Sequence, residues 1–292
     1  MYARILAAVN EFTNSEIAAR YALALAKACR AKLLLVFVAE APVTPSAFRR
    51  AESALERLFI EAERQGIEVE SITEEGDPVR KIRETVREQD VDLVVIATRR
   101  EDIERRFFIR TRARDLMTRL PCSVAMARVV HMGKGHPRDI LVPLKGRLSY
   151  IDERAYFIGK LAEGLDSRLT LFHLPRPLTT LFRGEAPLSV AEREQRPSRD
   201  IECFIEHLKK YGVVHERRTG SGRIARSITT EAAFKKNDLI IMGASERSLL
   251  RSMVSGSPVE QVLREAPCNL IIFKPRLRPR QKERRGNRPP CP

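Results

Sequence analysis

The stretch with the most chemical content is GASERSLLRSMVSGSPVEQVLREAPCNLIIF, residues 243–273. It follows the apolar, strand-like run Asp238–Met242 and holds Gly243, Gly256 and Ser257 ahead of a helical pattern. A glycine lets the backbone come close to a phosphate, because no Cβ stands in the way. Ser257-Pro258 opens a helix, and the free amides and dipole of a helix N-terminus favour an anion. The same residues also suit a purely structural part. Ser257-Pro258-Val259-Glu260 is a capping box in its own right, and Gly243 suits a tight turn.

Other reactive side chains give weaker patterns. The segment 99–119 has eight arginines and four acids. Its charge could hold phosphates or RNA, but no RNA-recognition motif accompanies it and the interleaved aromatics stop at Phe107 and Phe108. A charged helix face explains it better. His131 and His136 have no third metal ligand nearby, so no metal site is expected. His173 falls near the end of a strand in the second half, where it packs at the core or rim or lines a cleft. Cys122 and Cys268 each follow a proline and read as small buried hydrophobes. Cys291 reads as an exposed thiol. A G-x-S-x-G elbow and a Walker lysine are both missing, so catalysis has little support.

The elements that must position these residues come in two sets. GDPVRKI (76–82) matches GRIARSI (222–228), DLVVIATRR (92–100) matches DLIIMGASE (238–246), and PCSVAMARV (121–129) matches PCNLIIFKP (267–275). RILAAVN (4–10) matches DILVPLK (139–145), and an insertion in the polar stretch 175–199 accounts for the changed spacing. Two homologous units follow, 1–130 and 138–275, with a Gly/Pro linker at 131–137. In the first unit, apolar runs at 5–9, 33–38, 67–73, 91–97 and 123–129 read as strands. Helices are expected from a capping box at Thr13-x-x-Glu16, over 48–65, from the Asp77-Pro78 cap, and over 110–119. The pattern βαβαβαβαβ, twice, predicts an α/β fold of two repeated five-stranded, mostly parallel sheets with helices on both faces, Rossmann-like in kind.

Composition narrows the class. With 292 residues and 43% hydrophobic content the chain can bury a sizeable core, so it is not a disordered polymer. No apolar run is long enough to span a membrane. Five cysteines without metal-ligand spacing fit reduced thiols and a cytoplasmic protein better than a disulfide framework. The net charge of +15 is uneven: residues 274–292 hold eight basic residues and one acid. Residues 276–292 have no apolar periodicity and are expected to be a disordered basic tail.

The block 243–273, the opening strands and the G-x-P-x3-I element at 76–82 resemble the universal stress protein family over both halves. Its ATP-binding members carry G-x2-G-x9-G-S/T at this place. Gly243, Gly256 and Ser257 match, whereas Glu246 stands where the second glycine belongs. The resemblance implies a non-catalytic stress-response or signalling module that binds ATP or a related adenine nucleotide, with Mg2+, in the second unit. It implies binding positions at Gly243, Ser245, Gly256, Ser257, Leu144 and Lys145. The aspartate that usually ends the first strand is replaced by Asn10 and by Lys145. Asn10 can still bond a ribose hydroxyl, and Lys145 can pair with a phosphate. In the first unit Ala97, Arg100 and Arg110 replace all three glycines and only Thr111 remains, which implies a degenerate site. Affinity in the second unit should be modest. A Glu246 charge ~4 Å from a phosphate costs on the order of 4 kcal/mol at an effective dielectric near 20. The family also implies pairing through the last strands, here as an internal pseudo-dimer, with a homodimer and an unknown protein partner as further options. Two other readings stay open. One is a nucleic-acid-associated protein using the tail and the Arg-rich segment, and the other is a weak ATP hydrolase.

Overall fold

The computed structural model describes residues 1–98, 111–133, 136–174, 198–244 and 258–276. In the first half the elements are β1 (Arg4–Val9), α1 (Thr13–Cys29), β2 (Lys32–Ala39), α2 (Pro45–Arg64), β3 (Val69–Glu75), α3 (Pro78–Glu88), β4 (Leu93–Ala97), α4 (Arg112–Arg119) and β5 (Ser123–Arg128). The second half repeats the order: β6 (Asp139–Leu144), α5 (Ile151–Leu165), β7 (Arg168–His173), α6 (Arg199–Lys209), β8 (His215–Thr219), α7 (Ile224–Phe234), β9 (Leu239–Gly243), α8 (Pro258–Glu265) and β10 (Asn269–Lys274). The Arg-rich run 99–110, the insertion 175–197, the loop 245–257 and the tail from 277 onward lie outside the described residues, and with them Ser245, Glu246, Gly256, Ser257 and Cys291.

The two five-stranded sheets join edge to edge into one ten-stranded sheet, in the order β3-β2-β1-β4-β5-β10-β9-β6-β7-β8. Every pairing is parallel except the central one, where β5 and β10 run antiparallel from Leu270↔Arg128 to Lys274↔Val124. These last strands are apolar along their middles, Val124–Ala127 and Leu270–Phe273, and pairing them removes two exposed edges. Alternation along each strand feeds a core on both sides. Ile5, Ala7 and Val9 enter the cluster under α1, α2, α5 and α6, while Leu6 enters the one under α3, α4, α7 and α8.

The halves are also locked away from the sheet. α1 lies against α5, and a Cβ on Gly164 would collide with the Ala24 carbonyl of α1. Buried Asn269 of β10 donates to Tyr21 Oη of α1 at 2.9 Å, and its Oδ1 accepts from the Val130 and His131 amides. Within the second half, Phe157 of α5 stacks on Phe273 of β10, with centroids 4.1 Å apart.

Several local expectations change in detail. Thr13 and Glu16 do not form a capping box. The residue before α1 is Phe12, which has no side-chain cap, and Glu16 turns to Arg20 and Arg57. An ion pair with two guanidiniums outcompetes one backbone amide. α2 begins at Pro45 rather than Phe48, because Thr44 Oγ1 accepts from the Ala47 amide. β3 starts at Val69, after Gly66 ends α2 with φ +71. Asp77 caps α3 as expected, accepting from Arg80 N at 2.7 Å. Cys122 and Cys268 are buried. Burial pushes the Cys122 thiol up to about 12. Cys203 carries a disulfide, which departs from the expectation of reduced thiols. Among the described residues, no helix is long and apolar enough to cross a membrane.

Candidate functional site

In an open parallel sheet a crevice forms where the strand order reverses, beyond the carboxyl ends of the strands. This sheet has two such points, β1/β4 and β6/β9. At the second, pairing stops at Leu141↔Ile240, while β6 runs on to Leu144 and β9 to Gly243. The strand ends therefore part, with Leu144, Lys145 and Gly243 around the opening. Leu144 is buried and pairs on its other side with His173, the last residue of β7. His173 is half-buried, and burial lowers its pKa.

Gly243 is not open space. The guanidinium of Arg154, from the first turn of α5, lies on it so closely that a Cβ would overlap Nη1. Arg154 Nε donates to Ser149 O at 2.8 Å, and Nη2 donates to Ala244 O at 3.0 Å. Burial pulls the Arg154 pKa down to about 10, partly offset by the charge of Glu153. Glu153 itself is engaged elsewhere, by Ser123 Oγ and Tyr2 Oη. Lys145 stands at the exposed rim. Its pKa is also lowered, first by partial desolvation and then by repulsion from Arg154. Neither cation has a carboxylate partner among the described residues. Sequence reasoning reached Lys145 but missed Arg154. The available signal was a cation in the first turn of a helix, where the dipole disfavours it.

The first half is built differently at the same point. Ala97 replaces Gly243 by sequence register, and the carbonyl beyond it, Thr98 O, accepts from Asn14 Nδ2 at 2.7 Å. A short amide thus does beside Ala97 what a long guanidinium does beside Gly243. Asn10 Oδ1 accepts from Phe12 N at 3.0 Å, so this acceptor, expected to suit a ribose hydroxyl, already holds the turn into α1. Thr111 caps α4, accepting from Arg114 N. A groove of about 360 Å³ opens beside Asn10 between α1 and α2, with Arg49, Arg50 and the Glu16–Arg57 pair in its walls. His131 packs its Nε2 on the Pro267 carbonyl at 2.8 Å. Among the described residues, no group of three or more His, Cys, Asp or Glu could hold a metal.

Solved structures with this arrangement are known. The chain is similar to a universal stress protein from Archaeoglobus fulgidus DSM 4304 at 16% identity, with 93% of this chain and 96% of that chain covered and a TM-score of 0.62. It is similar to a functionally unknown protein from Pseudomonas aeruginosa PAO1 at 16% identity, with 94% and 93% covered and a TM-score of 0.63. It is also similar to the cytoplasmic domain of a prokaryotic cation chloride cotransporter at 12% identity, with 94% and 95% covered and a TM-score of 0.55. At such identities the likeness speaks for the fold alone. No curated protein matches the chain. The model of the universal stress protein family matches residues 1–128 and again residues 138–274. With nearly the whole length matched in two consecutive copies, the chain belongs to the universal stress protein family and is a tandem of its domain.

Proposed function

We propose that this tandem is a non-catalytic stress-response module whose second unit binds ATP or a related adenine nucleotide. The units are 1–130 and 138–275, followed by the basic tail 276–292. The base and ribose lie toward Leu144 and His173, and the phosphates toward Lys145, Gly243, Ser245, Gly256 and Ser257. The observation that carries this reading is the contrast between the two crevices. The second has a glycine at the strand end and two cations with no ion-pair partner among the described residues. The first has Ala97, with Thr98 O bonded by Asn14 and the Phe12 amide bonded by Asn10 from within the fold.

The donor set at the second crevice fits a phosphate chain, since guanidinium and ammonium groups pair with phosphate oxygens. It does not fit a bare metal, so Mg2+ arrives with the phosphates. The net charge of +15 favours any polyanion, including nucleic acid. Purified protein analysed by native mass spectrometry is expected to carry at most one adenine nucleotide per chain. Two nucleotides per chain would contradict the degenerate first unit. Salt-dependent retention of RNA, with no nucleotide bound, would favour the nucleic-acid reading instead.

A further inference from the structure

We propose that Lys145 and Arg154 form a two-cation oxyanion site at the mouth of the β6/β9 crevice. Its ligand is a phosphate group, and Gly243 is the residue that makes room for the guanidinium. The inference rests on the reading of the second unit as the nucleotide-binding one, and deepens it by naming the group that is gripped and the side chains that grip it.

Three observations converge. The first is placement. Lys145 directly follows β6, and Arg154, in the first turn of the next helix α5, reaches across to Gly243 at the end of β9, so the β6–α5 stretch brings both cations to one crevice. The second is the missing counter-charge. Among the described residues Arg154 bonds two neutral carbonyls, Ser149 O and Ala244 O, and makes no ion pair. Lys145 makes no hydrogen bond or ion pair at all among the described residues. The nearest acid along α5, Glu153, is held by Ser123 Oγ, Tyr2 Oη and the Arg276 amide. Two like charges placed together repel, and each lowers the other's preference for the charged form. An anion between them would reverse that cost. The third is exchangeability. A guanidinium bonds a phosphate more strongly than it bonds a neutral carbonyl, and does so in a bidentate fork. Arg154 can therefore trade Ala244 O for a ligand oxygen, and Lys145 stands exposed at the rim.

The consequence is a preference for ligand charge over ribose recognition. Where a carboxylate at the end of β6 would bond sugar hydroxyls, Lys145 cannot accept a hydrogen bond. The phosphate chain then supplies most of the affinity, and the nucleoside supplies less.

Calorimetric titration of the full chain with tripolyphosphate, ATP and adenosine tests this. Tripolyphosphate, which has neither base nor sugar, is expected to bind the wild type. Its affinity should fall about tenfold or more in Lys145→Met and again in Arg154→Gln, and thermal denaturation reports whether each variant folds. Lys145→Met removes no hydrogen bond among the described residues, so it carries the test alone if Arg154→Gln does not fold. The proposal is overturned if tripolyphosphate fails to bind at millimolar concentration, or binds wild type and Lys145→Met equally. ATP binding that is the same in wild type and both variants also overturns it, while leaving nucleotide binding intact. Tripolyphosphate binding that follows the predicted pattern, with ATP no tighter than tripolyphosphate, upholds the oxyanion site and defeats the nucleotide reading.

Discussion

At the scale of single residues, two side chains do work that their types alone do not announce. Gly243 is occupied from outside by Arg154. Replacing it with alanine must expel the guanidinium and leave the Ala244 carbonyl without its donor. We expect Gly243→Ala to lose about 1–3 kcal/mol in urea unfolding, the usual cost of an unsatisfied buried group. Glu16 makes a different prediction. Arg57 hydrogen-bonds its carboxylate at 3.1 and 2.8 Å, and Arg20 does so at 3.0 Å. The Arg57 bonds hold its pKa below the ordinary carboxylate range against the opposing effect of burial, with Arg20 adding to them. A carboxyl lowered by folding stabilises the fold above its unfolded pKa, about 4.3 for glutamate, and loses that contribution as pH falls through the folded value. The urea midpoint of the wild type should therefore drop on acidification more steeply than that of Glu16→Gln. Parallel curves below pH 5 would refute the assignment.

At the scale of elements, the central strands were legible because apolar runs bounded by Gly, Pro and Asp have few other uses in a chain that alternates them with helical periods, whereas the polar edge strand β8, HERRT, carries no such run. The Asp77-Pro78 start of α3 was legible for the same reason, and it sets a prediction. Asp77→Ala should cost about 1 kcal/mol, since Arg80 N loses its acceptor. The Thr13-x-x-Glu16 motif misled because a local pattern cannot show that Arg57, one helix away, competes for the same carboxylate. Arg154 was hidden in the same way. Nothing in its neighbourhood of sequence shows that α5 aims it at Gly243 and at the Ala244 carbonyl, ninety residues further on. The spacing of small residues in α5 gave no warning that Gly164 touches the α1 backbone. Gly164→Val should force α1 and α5 apart and destabilise the fold by about 1–3 kcal/mol, the usual cost of overpacking. An unchanged melting temperature would mean that the two helices slide freely.

At the scale of the whole molecule, the repeat in the sequence carried the architecture, since two equal units with apolar last strands have one economical way to cover both edges. β5 and β10 close that junction, and Asn269 bridges to Tyr21 behind it. A chain cut to residues 138–276 would expose the apolar edge of β10. It should self-associate in light scattering, whereas the full chain needs no second copy to cover that strand. The candidate site is less symmetric than the fold. Its strand-end glycine survives in one half only, which is why one site per chain is the central functional claim. Titration of labelled ATP into wild type and into Gly256→Asp tests it most directly. The account predicts a single site in the wild type that is lost in Gly256→Asp, because a carboxylate then stands where phosphate would meet the backbone. Binding that survives Gly256→Asp but disappears when Arg110 is replaced would place the site in the first half and contradict the account.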